Sequence, residues 1–186
     1  MNIYSIALFL HIVGALGFFV SLGLEWTGLR HIGSARTPEL VGQWMPIFKS
    51  TRLLGIVSML AILVTGLYMT LRFWGGAGWI IVTLGALVLG VVLTLALTGP
   101  RMAAVGRALS KERGQVSQTF QTLTNHPILW ISIQIRVAIA LGIVLLKIIK
   151  PDLGGSLLTI AIAIVLGLVS ALPMPRRQHA QARPAE

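Results

Sequence analysis

Five long apolar stretches constrain the fold of this sequence more than any other feature. A transmembrane helix needs about 20 mostly apolar residues, and each stretch reaches that length without the alternation of a barrel strand. The sequence therefore predicts an all-α, polytopic transmembrane bundle of five spans in a single domain of residues 1–175. The predicted spans are residues 4–27, 53–73, 78–99, 128–148 and 154–173.

The composition supports lipid as the main solvent of this chain. Of the side chains, 55% are hydrophobic and only 11% are charged, and the mean hydropathy is +0.86. So little polar surface cannot cover a water-soluble globule of this size. The chain has no cysteine, which excludes disulfides, thiolate zinc sites and c-type haem attachment.

Most of the basic residues lie in alternate connections between the spans, and the opposite connections hold only Arg72, Lys147 and Lys150 at helix ends. Lys and Arg are retained on the cytoplasmic side of short loops, so we expect the N-terminus outside and the C-terminus in the cytoplasm. The formal charge of +10 then serves orientation and attracts anionic lipid headgroups at the cytoplasmic face. No folded basic module for nucleic acid is present. The residues of the basic set are Arg30, Arg36, Lys49, Arg52, Arg101, Arg107, Lys111, Arg113, Arg176, Arg177 and Arg183.

Three connecting segments also carry local signals. Thr37, followed by proline and glutamate, is typical of a helix start, and apolar residues at helical spacing predict a short interfacial helix over residues 38–48. The segment from Arg101 to Asn125 is expected to extend the third span into water. Residues 176–186 are predicted to form a disordered basic tail.

His11 is the most unusual polar residue of the spans, because ionisable groups in a bilayer are costly unless they are paired or face protein. It shares one face of the first span with Glu25, by steps of three or four residues. One interpretation is a ligand of haem iron or copper, or a proton relay. The other is a structural histidine that is hydrogen-bonded to a neighbouring helix.

Helical rise indicates which residues share the depth of His11. The second span brings Met69 to that level and the fourth brings Lys147, so a thioether and an amine are possible partners. His31 and His126 lie about 20 Å away along the membrane normal by the same rise. Joint ligation of one metal by His11 and either of them is not expected, and His126 is predicted to cap the fourth span.

A second polar cluster is predicted nearer the cytoplasm. Glu25 approaches the level of Arg52, and Arg136 lies one to two turns deeper. An ion pair of Glu25 with one of these arginines would lower the cost of burying both. The alternative is an anionic site, since an embedded arginine can bind a propionate, a phosphate or a lipid headgroup.

Two stretches resemble a known group of membrane proteins. The opening IALFLHIVGALGFFVSLGLEW and the later LLKIIKPDLGGSLLTIAIAIVLGLVSALP are similar to uncharacterised bacterial integral membrane proteins distantly related to the CopD copper-resistance membrane domain. The resemblance implies a helical bundle of the bacterial cytoplasmic (inner) membrane, and an association with copper or with haem chemistry. It maps the first-helix histidine of that group onto His11.

Three functional hypotheses follow from the sequence. The first is a protein that binds haem b or copper through His11, with Met69 or Lys147 as partner. The second is a cofactor-free accessory subunit that binds a membrane protein partner or a second copy of itself. The third is a small proton-coupled transporter that uses His11 and Glu25. No catalytic pattern is present, so an enzyme is not favoured.

Overall fold

The computed structural model describes residues 2–112 and 114–172, and every regular element in these ranges is a helix. The predicted tail, residues 176–186, lies outside the described residues. The helices are α1 (Ile3–Ser34), α2 (Pro38–Met69, followed by a π-helical turn at Thr70–Trp74), α3 (Gly78–Leu93, followed by a π-helical segment at Thr94–Thr98), α4 (Gly99–Leu109), α5 (Gln118–Thr124), α6 (Pro127–Ile149) and α7 (Leu153–Ser170).

Five helices are long and apolar enough to cross a membrane, which confirms the predicted number. Many of their large apolar side chains point outward; Leu16, Val64 and Leu166 are 62%, 67% and 61% exposed. Water would penalise such a surface by about 25 cal/mol for each Å². The outside of the bundle is therefore suited to lipid. The helices run Ile3–Ser34, Pro38–Phe73, Gly78–Leu109, Gln118–Ile149 and Leu153–Ser170.

The second helix is longer than the sequence predicted. Residues 38–48 are not a separate helix; α2 begins at Pro38, is capped by the Thr37 side chain and continues to Met69 over 32 residues. Pro46 lies inside it and removes one backbone hydrogen bond, yet the helix continues on both sides. Hydropathy alone missed this continuity because polar residues between 49 and 52 interrupt the apolar pattern without interrupting the backbone hydrogen bonds.

An apolar cluster holds together the end of the bundle that carries Arg30, Arg36, Arg101 and Arg107, which we call the basic end. Here α4 continues the third helix as predicted, and α5 packs against α4 and α1. The Asn125 side chain donates a hydrogen bond of 3.0 Å to the backbone oxygen of Gly33, which ties α5 to α1. The buried members of the cluster are Ile32, Val41, Val105, Val116 and Phe120.

Helices α1 and α2 pack closely along their length because small residues face each other. A Cβ added at Gly14 would lie 3.1 Å from the Cβ of Ala61 and 3.1 Å from the backbone oxygen of Ser58. Gly28 packs on the ring of Phe48 in the same way. Small residues that bring backbones together are the usual basis of helix association in membranes.

Helix α6 is the central helix of the bundle. Half of its most apolar stretch is buried (50%), against 17–28% for the other four long helices. It packs on α7, α3 and α1. The connection to α7 is sharp: Lys150 adopts a left-handed conformation (φ 50°), and the Asp152 side chain accepts a hydrogen bond of 2.8 Å from the Gly155 amide to cap α7.

Candidate functional site

His11 is a residue of α1 whose side chain packs against α2 inside the bundle, and it is only 8% exposed. Its Nδ1 is 3.0 Å from the hydroxyl oxygen of Thr65. The Thr65 hydroxyl donates its own proton to the backbone oxygen of Ala61, so its oxygen accepts the proton of His11 Nδ1. This arrangement defines the tautomer and leaves a lone pair on Nε2.

Lys147 reaches this lone pair from α6. Its Nζ lies 3.2 Å from His11 Nε2, and the ammonium donates. Helical side chains tilt toward the N-terminus of their helix, so on these antiparallel helices the side chains of Lys147 and His11 tilt toward each other. The Trp79 ring contacts the same ammonium, with its centroid 5.9 Å from Nζ, a cation–π geometry.

A cavity of about 540 Å³ lies between α1, α2, α3 and α6, and His11 and Lys147 line it. Most of its lining is apolar, and its volume is in the range of small-molecule sites. Met69 also lines it and is 7% exposed. The structure therefore brings together the three residues that sequence placed at one depth.

The cavity is elongated along the helices and open at one side. Along α1 its lining runs from Tyr4 to Phe19, which is about 22 Å by helical rise. Ile12 and Leu16 line it and are 50% and 62% exposed. Its opening is thus on the apolar outer surface of the bundle.

The second polar cluster joins α1, α3 and α6 nearer the basic end. Arg136 binds both carboxylate oxygens of Glu25; Nη1 donates to Oε2 at 2.8 Å and Nη2 donates to Oε1. Its Nε donates to the backbone oxygen of Ser132 at 3.3 Å, and Nη2 also contacts the Thr98 hydroxyl. Arg52, the other partner proposed from sequence, is exposed and lies outside this network.

This second cluster has little capacity left for a ligand. Arg136 is 5% exposed, and its guanidinium is paired with a carboxylate and two further oxygens. Thr98 and Ser132 are hydrogen-bonded to each other at 3.0 Å. Throughout the described ranges, no buried side-chain nitrogen or oxygen lacks a hydrogen-bond partner. Its geometry is that of a tie between helices.

His11 and Glu25 share a side of α1 but belong to different clusters. His11 contacts Thr65 and Lys147, whereas Glu25 contacts Arg136. The apolar residues Phe18 and Leu22 lie between them along α1. A direct path for protons between the two groups is not formed by these contacts.

Several residues of the two clusters were not found from sequence. The hydroxyl groups Thr65, Thr98 and Ser132 are common in helices and carry no distinctive pattern. Thr65 could have been found from the pairing of small residues. If α1 and α2 are antiparallel with Gly14 opposite Ala61, Thr65 lies beside His11. The π-helical segments adjoin both clusters, as such segments frequently do at functional sites, and sequence gives no indication of them.

His126 and His31 lie where the sequence predicted them. His126 caps α6, its Nδ1 accepting from the Ile128 amide at 3.3 Å, and His31 stacks on Trp44 at the basic end. Among residues 2–112 and 114–172, no three His, Asp or Glu side chains are grouped closely enough to hold a metal.

Comparison with protein-family models, curated proteins and solved structures finds no match for this chain. Fold and site together define an all-helical protein with five helices of membrane-spanning length and a side-opening apolar cavity with a basic polar end. Its function is argued from that site.

Proposed function

We propose that this chain is a multi-pass protein of the bacterial cytoplasmic membrane that binds a small, mostly apolar molecule in the cavity. The N-terminus faces outward, so that the cavity opens toward the outer leaflet. Support for the location comes from five apolar helices of spanning length and from the basic residues gathered at one end.

One observation carries the proposed activity: the His11–Lys147 pair lies in an otherwise apolar cavity of about 540 Å³. A few polar groups in an apolar pocket are typical of sites that orient a small ligand. A bundle without a ligand would gain more free energy from filling this volume with side chains.

Filling the cavity tests this proposal. Ala15 lines it between His11 and Phe18, so Ala15→Phe should occupy the volume that a ligand needs. We expect native mass spectrometry to detect bound methyl oleate on the wild-type protein and none on this variant. Val20→Phe, on the exposed surface of the same helix, should bind like the wild type. The absence of binding to the wild type would contradict the proposal.

A second candidate is a cofactor site, in which His11 is a ligand of haem b or copper and Met69 or Lys147 is its partner. What favours it is the presence of an imidazole, a thioether and an amine around one cavity, since these donors suit copper and haem iron. The fit is partial, because the amine of Lys147 lies against the Nε2 lone pair and would have to rotate away.

Spectra and elemental analysis separate the two candidates. A Soret band or bound copper in the purified protein that is lost in His11→Ala would establish the cofactor. A flat spectrum and no copper after reconstitution with haem and with copper would exclude it and leave the apolar ligand.

A further inference from the structure

We propose that the ligand is an amphiphile with one apolar chain and an anionic head group, either a carboxylate or a phosphate monoester. Its head group binds Lys147 beside His11, and its chain lies along α1 toward Phe18. This inference rests on the proposed function, because it requires that the cavity binds a ligand.

The charge of the cavity selects the head group. Lys147 brings its ammonium into the lining beside His11, and no carboxylate of the described residues lines the cavity. In the described part of the chain, Glu25 is bound to Arg136 and Asp152 caps α7. An ammonium in apolar surroundings is costly without a counter-ion, so an anion supplied by the ligand is favoured.

Hydrogen-bond capacity points to the same head group. The ammonium of Lys147 has three protons, of which one is donated to His11. The lining threonine hydroxyls are already used: Thr70 donates to the backbone oxygen of Gly66 and Thr83 to that of Trp79, each at 2.8 Å. Lys147 therefore keeps two protons for an acceptor beside His11, and charge-assisted hydrogen bonds to a carboxylate or phosphate are the strongest it can make.

The shape of the cavity selects the chain. From His11 to Phe18 the lining continues about 10 Å deeper by helical rise, through Ala15 on α1 and Ile143 and Ala140 on α6. The exposed rim at Ile12 and Leu16 allows a chain to enter sideways from the bilayer. With the proposed orientation, the head lies beside Trp79, near the headgroup level that tryptophan prefers, and the chain points to the membrane centre. A lipid of the outer leaflet has the same orientation.

Quenching of Trp79 fluorescence by brominated chains tests the inference on the full-length protein in maltoside micelles. The probes are stearate brominated next to its carboxyl group and the methyl ester of the same acid, so that the bromine lies near Trp79 when the head group binds Lys147; a Trp79→Phe variant identifies the signal of Trp79. We expect stearate to quench at concentrations at least about tenfold lower than the ester, since one hydrogen bond to a charged group accounts for that ratio. Lys147→Met should abolish this preference.

Matched variants and probes make the outcome decisive. Lys147→Arg should keep the preference, and Lys49→Met, at the basic end, should leave it unchanged. A brominated alkyl phosphate should quench Trp79 as brominated stearate does, whereas sodium phosphate should not compete with either probe. Competition by sodium phosphate would indicate a site for free anions and would overturn the inference. Equal quenching by acid and ester would also overturn it but leave the cavity's ligand-binding role intact. If neither probe quenches Trp79, the proposed function fails as well.

Discussion

Arg136 shows how a single side chain can join three helices. It extends from α6, binds the Glu25 carboxylate of α1 and contacts Thr98, the last residue of the π-helical segment that follows α3. Both charges are largely buried, with side chains 5% and 14% exposed. Removing one partner of a buried pair leaves the other charge uncompensated, which costs far more than the pair itself contributes.

Glu25→Gln should therefore lower the free energy of unfolding by about 3–5 kcal/mol, measured by unfolding in mixed micelles of increasing dodecyl sulfate content. Replacing both partners by Leu and Met should restore most of the loss. Glu39→Gln, at an exposed position in the first turn of α2, should cost no more than about 1 kcal/mol. Equal losses for both glutamines would contradict the role of the pair.

Substitutions of His11 offer a second test of a single side chain. His11→Ala removes the partners of Thr65 and Lys147 and should lower the free energy of unfolding by about 1–3 kcal/mol. His11→Gln keeps an amide that can donate to Thr65, so we expect a smaller loss in the same unfolding assay. Both hypotheses, the cofactor-free accessory subunit and the ligand-binding protein, predict that His11→Ala loses more stability than His11→Gln. Only the ligand-binding hypothesis predicts that His11→Gln also changes probe binding.

Sequence reasoning predicted the depth of several residues but not their contacts. Rise per residue was enough to place His11, Met69 and Lys147 at one level, and the structure lines one cavity with them. It left open whether Arg52 or Arg136 pairs with Glu25, because rotation about the helix axis decides which side chain points inward. That rotation is set by packing with neighbouring helices.

Among the helices, α2 most directly shapes the cavity through a glycine. Gly66 lies against the imidazole: a Cβ at this position would be 3.2 Å from His11 Cε1 and 3.5 Å from Nδ1. Such a contact is tight enough that the ring must shift by a few tenths of an ångström. The bond from His11 Nδ1 to Thr65, one residue earlier on α2, fixes the ring from the same side.

Gly66→Ala should therefore weaken binding of the stearate probe severalfold by displacing His11 from Lys147, as measured by Trp79 quenching. Gly42→Ala is the matched control on the same helix, because nothing lies within 4 Å of its added Cβ. That control should bind the probe normally and gain up to about 1 kcal/mol of stability from its helix propensity. Unchanged binding in Gly66→Ala would show that the ring position is not critical.

The two ends of the whole molecule differ in structure. The basic end carries the apolar cluster around Phe120, and the opposite end carries the tight turn at Gly75, where φ is 60°. Hydropathy predicted the number of long helices, because that number depends on local composition. It could not predict the cavity, which exists where side chains of four helices leave space unfilled.

The absence of native cysteine allows a direct test of orientation. Gly76→Cys, exposed in the turn before α3, and Ser110→Cys, exposed after α4, mark the two ends. A membrane-impermeant maleimide should label the first variant in intact spheroplasts and the second only after permeabilisation. The reverse pattern would place the cavity opening in the inner leaflet.

The length of the helices at the basic end also has a consequence for the proposed membrane protein in salt. From the level of Arg52, near Glu25, α1 continues to Ser34, about 14 Å by helical rise, whereas the Debye length at physiological ionic strength is about 8 Å. In the proposed orientation the bilayer surface lies at about the level of Arg52, so charges at the tip, such as Arg36, would be largely screened from anionic headgroups. The extension would thus carry its outermost charges beyond the reach of the membrane surface, where they remain available to soluble anions.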